Sequence, residues 1–264
     1  MSFRCSRNRP KALLRLLSLW YIFLLSQACC MSEYHKIETL YERDEHFKIG
    51  PDLVLRNRVY DTLKTWRWTE KVDGTNIRVI WQGGKLSFGG KTDNASIPAD
   101  LVKWLYENVT PEKLAACFPD GGDVVIYGEG YGAGIQRGGI YGPTKKLIVF
   151  DVFVIDTDIE HTRMGGWWLS DENMRDVAGK LGLDAVPHLG EMTLEDATDK
   201  VRAGFRSSLN GGLAQAEGMV GRPIETLFDK KGHRLIVKLK TKDFARTPAK
   251  VLTMPALIDL PLAA

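Results

Sequence analysis

The chain has 264 residues, is 44% hydrophobic and 26% charged, and carries a formal charge of +3. That is the make-up of a soluble globular protein of one domain, or one domain with a small appendage, long enough to bury a sizeable core. The charge is unevenly spread: residues 1–30 carry Arg4, Arg7, Arg9, Lys11 and Arg15 with no acid, so removing their +5 leaves −2, a body that excludes a globally basic nucleic-acid binder.

In chain order, the first element is that leader. A basic start, an apolar run from Leu16 to Leu25 and the small-residue exit Ser-Gln-Ala resemble a secretory signal, and the run is short for a membrane span. Cysteine usage argues the other way. Cys5, Cys29 and Cys30 lie in the leader, and only Cys117 lies in the body, where it has no internal partner. That suits a reducing compartment. The favoured expectation is a cytoplasmic chain that functions from Met31; an export signal and a retained anchor are the alternatives.

Residues 33–62 are polar and mixed and read as a strand with loops. Trp66–Val72 and Thr75–Trp81 read as a strand pair about a tight turn at Gly74, and Gly83-Gly84 as a hairpin leading to Lys85–Phe88. Pro98 opens a helix to Asn108 and Pro111 another to Cys117, since proline suits a helix's first position. Val124–Gly128 is a strand feeding GEGYGAGIQRGGIYG, and Lys146–Ile155 is an apolar, β-branched strand. Ser170 caps a helix to Leu181 and Thr193 one to Phe205. Glu217–Gly221 and Arg234–Leu239 read as two more strands. The order of elements predicts an α+β fold with mostly antiparallel sheets.

Several nucleotide and metal motifs fail. In GGKLSFGGKT the glycines are one residue too far apart for a P-loop, and no helix starts after Thr92. GEGYGAGIQRGG is followed by loop and strand, not by the helix a dinucleotide fold needs. His35, His46, His161, His188 and His233 lack paired ligand spacing. No G-x-S-x-G elbow occurs.

What remains is a lysine in WTEKVDGTNIRVIW. Lys71 shares strand parity with Asp73, opposite Trp66, Trp68 and Val72, so the apolar face holds the strand to the core while Lys71 meets a cleft. Taken alone, it reads as an exposed Lys–Asp pair worth little to stability. Glu129 ends a strand, Phe150 and Asp151 lie in LIVFDVFV, Glu217 opens EGMV, and Lys238 and Lys240 share a face in LIVKLK. Each has an ordinary reading as loop acid, core residue or solvated face; their joint order does not.

The series resembles the covalent nucleotidyltransferases: ATP-dependent DNA and RNA ligases and mRNA capping enzymes. Glu70-Lys71-Val72-Asp73-Gly74 is similar to their motif I, Tyr127-Gly128-Glu129 to motif III and Phe150-Asp151-Val152-Phe153 to motif IIIa. Glu217-Gly218-Met219-Val220 is similar to motif IV and Lys238-Leu239-Lys240 to motif V. EKVDGTNIRV, GGKTDNASIP and YGEGYGAGIQ look most similar to phage-type RNA ligases.

The resemblance implies an α+β, ATP-grasp-like nucleotidyltransferase domain over residues 31–246, with a tail at 247–264. Larger ligases carry a further domain, often an OB-fold. Only about two dozen residues follow Lys240, so none is expected here, though a partner protein could supply one. The resemblance also implies the chemistry. Lys71 attacks ATP and becomes lysyl-AMP, with Lys238 and Lys240 lowering its pKa and neutralising the α-phosphate. Glu129 meets the ribose, Phe150 stacks on adenine, and Glu70, Asp73 and Gly74 belong to the nucleotide site. Glu217 holds Mg2+ or Mn2+, hard ions that suit a carboxylate. The adenylate then passes to a 5′-phosphate, and a 3′-hydroxyl seals the strand.

Asn76 and Lys91 are implied near those phosphates. Lys91 departs from the usual arginine, which exchanges a bidentate grip for a point charge. Lys230, Lys231, Arg234, Lys242, Arg246 and Lys250 form an expected basic strand-binding surface. The expectation is an ATP-dependent ligase of RNA ends, monomeric and without stable membrane association. A DNA ligase or GTP-using capping enzyme is the nearer alternative, and an inactive nucleic-acid-end binding protein the more distant one.

Overall fold

The structure, a computed structural model, describes residues 33–156, 165–230 and 232–244. The leader over residues 1–30, the start at Met31, His161, Lys231, Arg246, Lys250 and the tail at 247–264 lie outside these residues. Among the described residues no helix is long and apolar enough to cross a membrane.

Eleven strands and four α-helices are described. The strands are β1 (Glu38–Thr39), β2 (Trp66–Lys71), β3 (Thr75–Gln82), β4 (Lys85–Gly89), β5 (Asp123–Tyr131), β6 (Lys146–Ile155), β7 (Gly166–Trp168), β8 (Asp184–Ala185), β9 (His188–Met192), β10 (Gly218–Pro223) and β11 (Val237–Lys240). The helices are α1 (Ala99–Asn108), α2 (Pro111–Cys117), α3 (Asp171–Leu181) and α4 (Leu194–Ala203). One sheet runs β1-β11-β10-β2-β9 and the other β4-β3-β5-β6-β7, with β8 beside β6. Among the described strands only the short pairings β1–β11 and β6–β8 are parallel. This is the mostly antiparallel α+β architecture that the element order predicts.

Local chemistry sets most boundaries. Thr110, Ser170 and Thr193 each accept from the backbone N–H three residues on, which satisfies a donor that the first helical turn leaves free. Asp171 and Glu172 begin α3 and Lys180 ends it, complementing its dipole. Gly204, at φ 77°, stops α4 at Ala203 rather than at the expected Phe205.

Each sheet has its own core. Ile77 and Val79 of β3 and Val149 of β6 pack on Leu101 and Leu105 of α1 and Met174 and Leu181 of α3. Trp66 and Trp68 of β2 pack with Met219, Leu239 and Val201 of α4. The predicted pairing of Trp66–Val72 with Thr75–Trp81 is therefore overturned. β2 pairs with β10 and β9, whereas β3 pairs with β4 and β5. Their apolar faces serve different cores, so the chain passes from one sheet to the other through Val72-Asp73-Gly74.

That passage is tight. A Cβ on Gly74 would sit 2.3 Å from the Gly130 carbonyl oxygen and 2.9 Å from Glu129 Cγ. Gly74→Ala is expected to destabilise the protein by about 1–3 kcal/mol, the usual cost of overpacking. A urea unfolding midpoint unchanged from the parent would contradict this.

Candidate active site

Three strands of the first sheet bring together residues far apart in sequence. Lys71, the last residue of β2, lies opposite Gly218 of β10, and Gly218 lies opposite Lys240 of β11. Side chains facing each other across antiparallel strands share a face. Gly218 packs so closely that a Cβ there would stand 2.0 Å from Leu239 O. Glu217, just before it, is pinned by its carbonyl, which accepts from Thr241 N at 2.9 Å. Lys71 Nζ donates to Glu217 Oε2 and Lys240 Nζ reaches Oε1, both at 2.6 Å.

The charges decide the protonation. Burial alone pushes the Glu217 carboxyl up, but Lys71 and Lys240 outweigh it and hold the group below the usual carboxylate range. Burial likewise pulls Lys71 down, while Glu217, Glu129 and Asp73 outweigh it, so its pKa is raised. The expectation that Lys238 and Lys240 hold Lys71 uncharged is overturned for this state: the neighbouring acids outweigh burial. The depressed amine is Lys238, at about 8, lowered by burial and then by Lys240 and Lys71. Lys238 Nζ donates to Ile37 O at 2.7 Å.

The second sheet supplies the other wall. Glu129 on β5 pairs with Asn76 on β3. Its pKa is raised to about 7, by burial first, with Lys71 opposing and Glu217 and Asp73 reinforcing. Next to it, Tyr127 pairs with Asp151 and Gly128 with Val149, so Phe150 is the extra residue of a β-bulge. Bulges re-aim side chains, and Phe150 lines the cavity instead of alternating with its neighbours. Behind it the fully buried Asp151 accepts from Tyr34 Oη at 2.7 Å, Arg222 Nη2 at 3.1 Å and Arg234 Nη2 at 2.5 Å. Arg222 Nη2 also donates to the Phe150 carbonyl at 3.1 Å, tying the bulge to β10. Arg234 is thus a buried structural cation, not part of an exposed strand-binding surface; Lys230 and Lys242 are exposed. The expected strand Arg234–Leu239 begins only at Val237 as β11, because Arg234 and Leu235 pair with Phe228 and Leu227 instead.

Between the sheets lies a cavity of about 470 Å³, lined by Lys71, Lys238, Glu129, Phe150, Asn76 and Lys91 among others. Glu217 joins it through its contact with Lys71, and Lys240 through its contact with Glu217. Glu70 also lines it, but its carboxylate turns to Ser207 Oγ and Ser208 N. Asp73 and Gly74 form the passage beside it, with Asp73 N donating to Tyr141 Oη at 3.2 Å. Sequence reasoning missed Tyr34, His35, Val186 and Arg222 on the wall. His35 stacks on Tyr34 at 4.7 Å, and burial, then Arg234, push its imidazole down to about 4. Only Arg222 had a sequence signal, being a charge in an otherwise apolar strand.

Glu217 is the carboxylate to weigh as a metal ligand. Among the described residues no cluster of three or more His, Cys, Asp or Glu could hold an ion alone. One carboxylate that already gathers two ammonium groups fits a hard divalent ion that takes its remaining ligands from water and nucleotide phosphates.

A neutral amide at Glu129 removes a charge that the fold disfavours. The folded pKa lies above the ordinary value, so the native state binds the extra proton between pH 4.5 and about 7, and this group's contribution falls as pH rises through that window. Glu129→Gln is therefore expected to raise Tm at pH 8, with the gain shrinking towards pH 5. A gain independent of pH would contradict the shift.

Comparisons with known proteins give a family and a fold. The RNA ligase family profile matches residues 64–240, and no curated protein matches the chain by sequence. Naegleria gruberi RNA ligase matches in fold. A variant of it with ATP and Mn gives a TM-score of 0.51 at 17% identity, covering 79% of this chain and 61% of that one. A variant with AMP and Mn gives 0.52 at 15%, covering 78% and 56%. The form with PPi gives 0.51 at 14%, covering 79% and 62%. The chain spans about three fifths of the length of these structures. It belongs to the RNA ligase family, within the covalent nucleotidyltransferases.

Proposed function

We propose that this member of the RNA ligase family is an ATP-dependent ligase that takes AMP onto Lys71, passes it to the 5′-phosphate of an RNA end and joins that end to a 3′-hydroxyl. The observation that carries the reading is the Glu217 carboxylate held at 2.6 Å by both Lys71 and Lys240, at the edge of a cavity of nucleotide size.

Phe150, turned inward by its bulge, is the face proposed for the adenine, and Glu129 the acid proposed for the ribose. Lys238 and Lys240 are the cations proposed to stabilise the charge that builds on the α-phosphate. Lys71 attacks Pα through its Nζ lone pair. The bond from Pα to the bridging oxygen breaks, pyrophosphate leaves, and Nζ gives up one of its two protons to solvent as the phosphoramidate forms. The amine must first be uncharged, and its contact with Glu217 opposes this. Lys71 becomes a nucleophile only when the negative charge of Glu217 is engaged elsewhere. Glu217 would hold a divalent ion, Mg2+ or Mn2+, which would supply that engagement and add positive charge near the phosphates.

In the second step a 5′-phosphate oxygen attacks the same phosphorus, and Lys71 leaves with a proton. Asn76 and Lys91, on the cavity wall beside Lys71, are the groups proposed to meet that phosphate. The 3′-hydroxyl then attacks the activated 5′-phosphate and AMP leaves. We read residues 31–246 as the domain that performs these steps.

Incubation with α-labelled ATP and Mg2+ is expected to label the protein covalently, with a mass gain of one AMP, and α-labelled GTP is not. Lys71→Ala removes the label while circular dichroism remains that of the parent. A labelled alanine variant would disprove the nucleophile assignment.

A further inference from the structure

Lys91 lines the cavity from a loop rather than from a strand. A lysine on a free loop would be a poor phosphate ligand, because its compact charge has no fork with which to orient itself. The residue that holds this loop is Arg78. On β3, Asn76 and Arg78 are two residues apart and share a face. Asn76 lines the cavity, and its Oδ1 is buried with no hydrogen-bond partner among the described residues. Arg78, one step along, has a side chain only 1% exposed.

The guanidinium clamps both flanks of Lys91. Nε donates to Gly90 O at 2.8 Å, and Nη2 donates to Asp93 Oδ1 at 2.8 Å. The plane of the fork fits because Gly89 has no side chain: a Cβ there would stand 2.8 Å from Arg78 Nη2. Gly90 is closed in from the other side by Ala95, whose Cβ would lie 2.8 Å from a Cβ on Gly90. Ala95 N completes the turn by donating to Thr92 O at 3.1 Å. Burying a guanidinium is costly, and well-packed apolar residues often stabilise such a position as well as an ion pair does. What the fork adds is geometry.

We propose that Arg78 is a positioning residue: through Gly90 O and Asp93 it fixes the Lys91 ammonium beside Asn76, at the place where the phosphate of the nucleic-acid end is received. The inference rests on the ligase reading above and deepens it. Arg78 touches no reacting atom; it acts through Lys91. It therefore bears on transfer of AMP to the 5′-phosphate more than on loading of Lys71.

The test uses the full chain. Lys71 is loaded with label from ATP, excess nucleotide is removed, and single-turnover transfer to a 5′-phosphorylated RNA oligonucleotide is followed. Asp93→Asn, Lys91→Ala, their double variant and Arg78→Lys are compared, with loading measured separately. Asp93→Asn is expected to slow transfer by about 10- to 100-fold, the range for a misplaced group remote from the chemistry, and to slow loading far less. In the Lys91→Ala background it should add nothing, because the group being positioned is gone. Arg78→Lys keeps the charge, loses the fork and should resemble Asp93→Asn. The Asp93 side chain is 60% exposed, so its variant is read even if Arg78→Lys fails to fold.

A general structural role predicts equal losses in both steps, multiplied by Lys91→Ala; either result overturns the positioning role while leaving the ligase reading intact. Unchanged transfer in Lys91→Ala overturns it too. A chain that never loads Lys71 overturns the ligase reading and this inference together.

Discussion

The Glu217 carboxylate, shared between two ammonium groups at 2.6 Å each, is the interaction on which the rest of the site depends. It draws β2, β10 and β11 into one charged row and keeps Lys71 at the cavity instead of in solvent. An isolated acid at such a buried place would be driven neutral, and an isolated lysine likewise. Together they remain charged, which makes the row both a structural tie and a restraint on reactivity. Lys71 is held ready but protonated, so the chemistry proposed for it waits on whatever takes up the charge of Glu217.

A second tie sets the opposite wall. Asp151 is an acid with no exposure, and it is tolerated because Arg222, Arg234 and Tyr34 all donate to it. Burial pushes its carboxyl up, and the two guanidinium groups outweigh that and hold it low. Arg222 belongs to β10, the strand that Glu217 precedes, yet it also holds the Phe150 carbonyl on β6. One strand of the first sheet therefore fixes both the Glu217 side and the Phe150 side of the cavity. The bulge at Phe150 would be a weak point in β6 without that bond.

The sequence carried much of this in readable form. Cap residues Thr110, Ser170 and Thr193 act locally, so the starts of α2, α3 and α4 were predictable from neighbours alone. Alternation in LIVKLK placed Lys238 and Lys240 on one face, because strand periodicity is also local. The motif order of Lys71, Glu129, Phe150, Glu217 and Lys240 was visible as a resemblance. Tyr34 and His35 were not readable: they sit in a polar stretch with no period, and they meet Phe150 and Trp168 only through the fold. Arg234 looked like surface charge because nothing near it in sequence announces Asp151 as its partner.

By itself, the sequence determined the four helices, most of the longer strands and the apolar faces, since these follow from neighbours within a few residues; the short strands β7, β8 and β9 carried no such signal. Only the tertiary structure decided that β2 and β3 part company at Gly74, that Phe150 is an inserted residue, and that Lys71 is charged. Each of these depends on which distant chain lies alongside. Strand partners are chosen by competing apolar faces, and a pKa is set by whichever charge lies nearest in space.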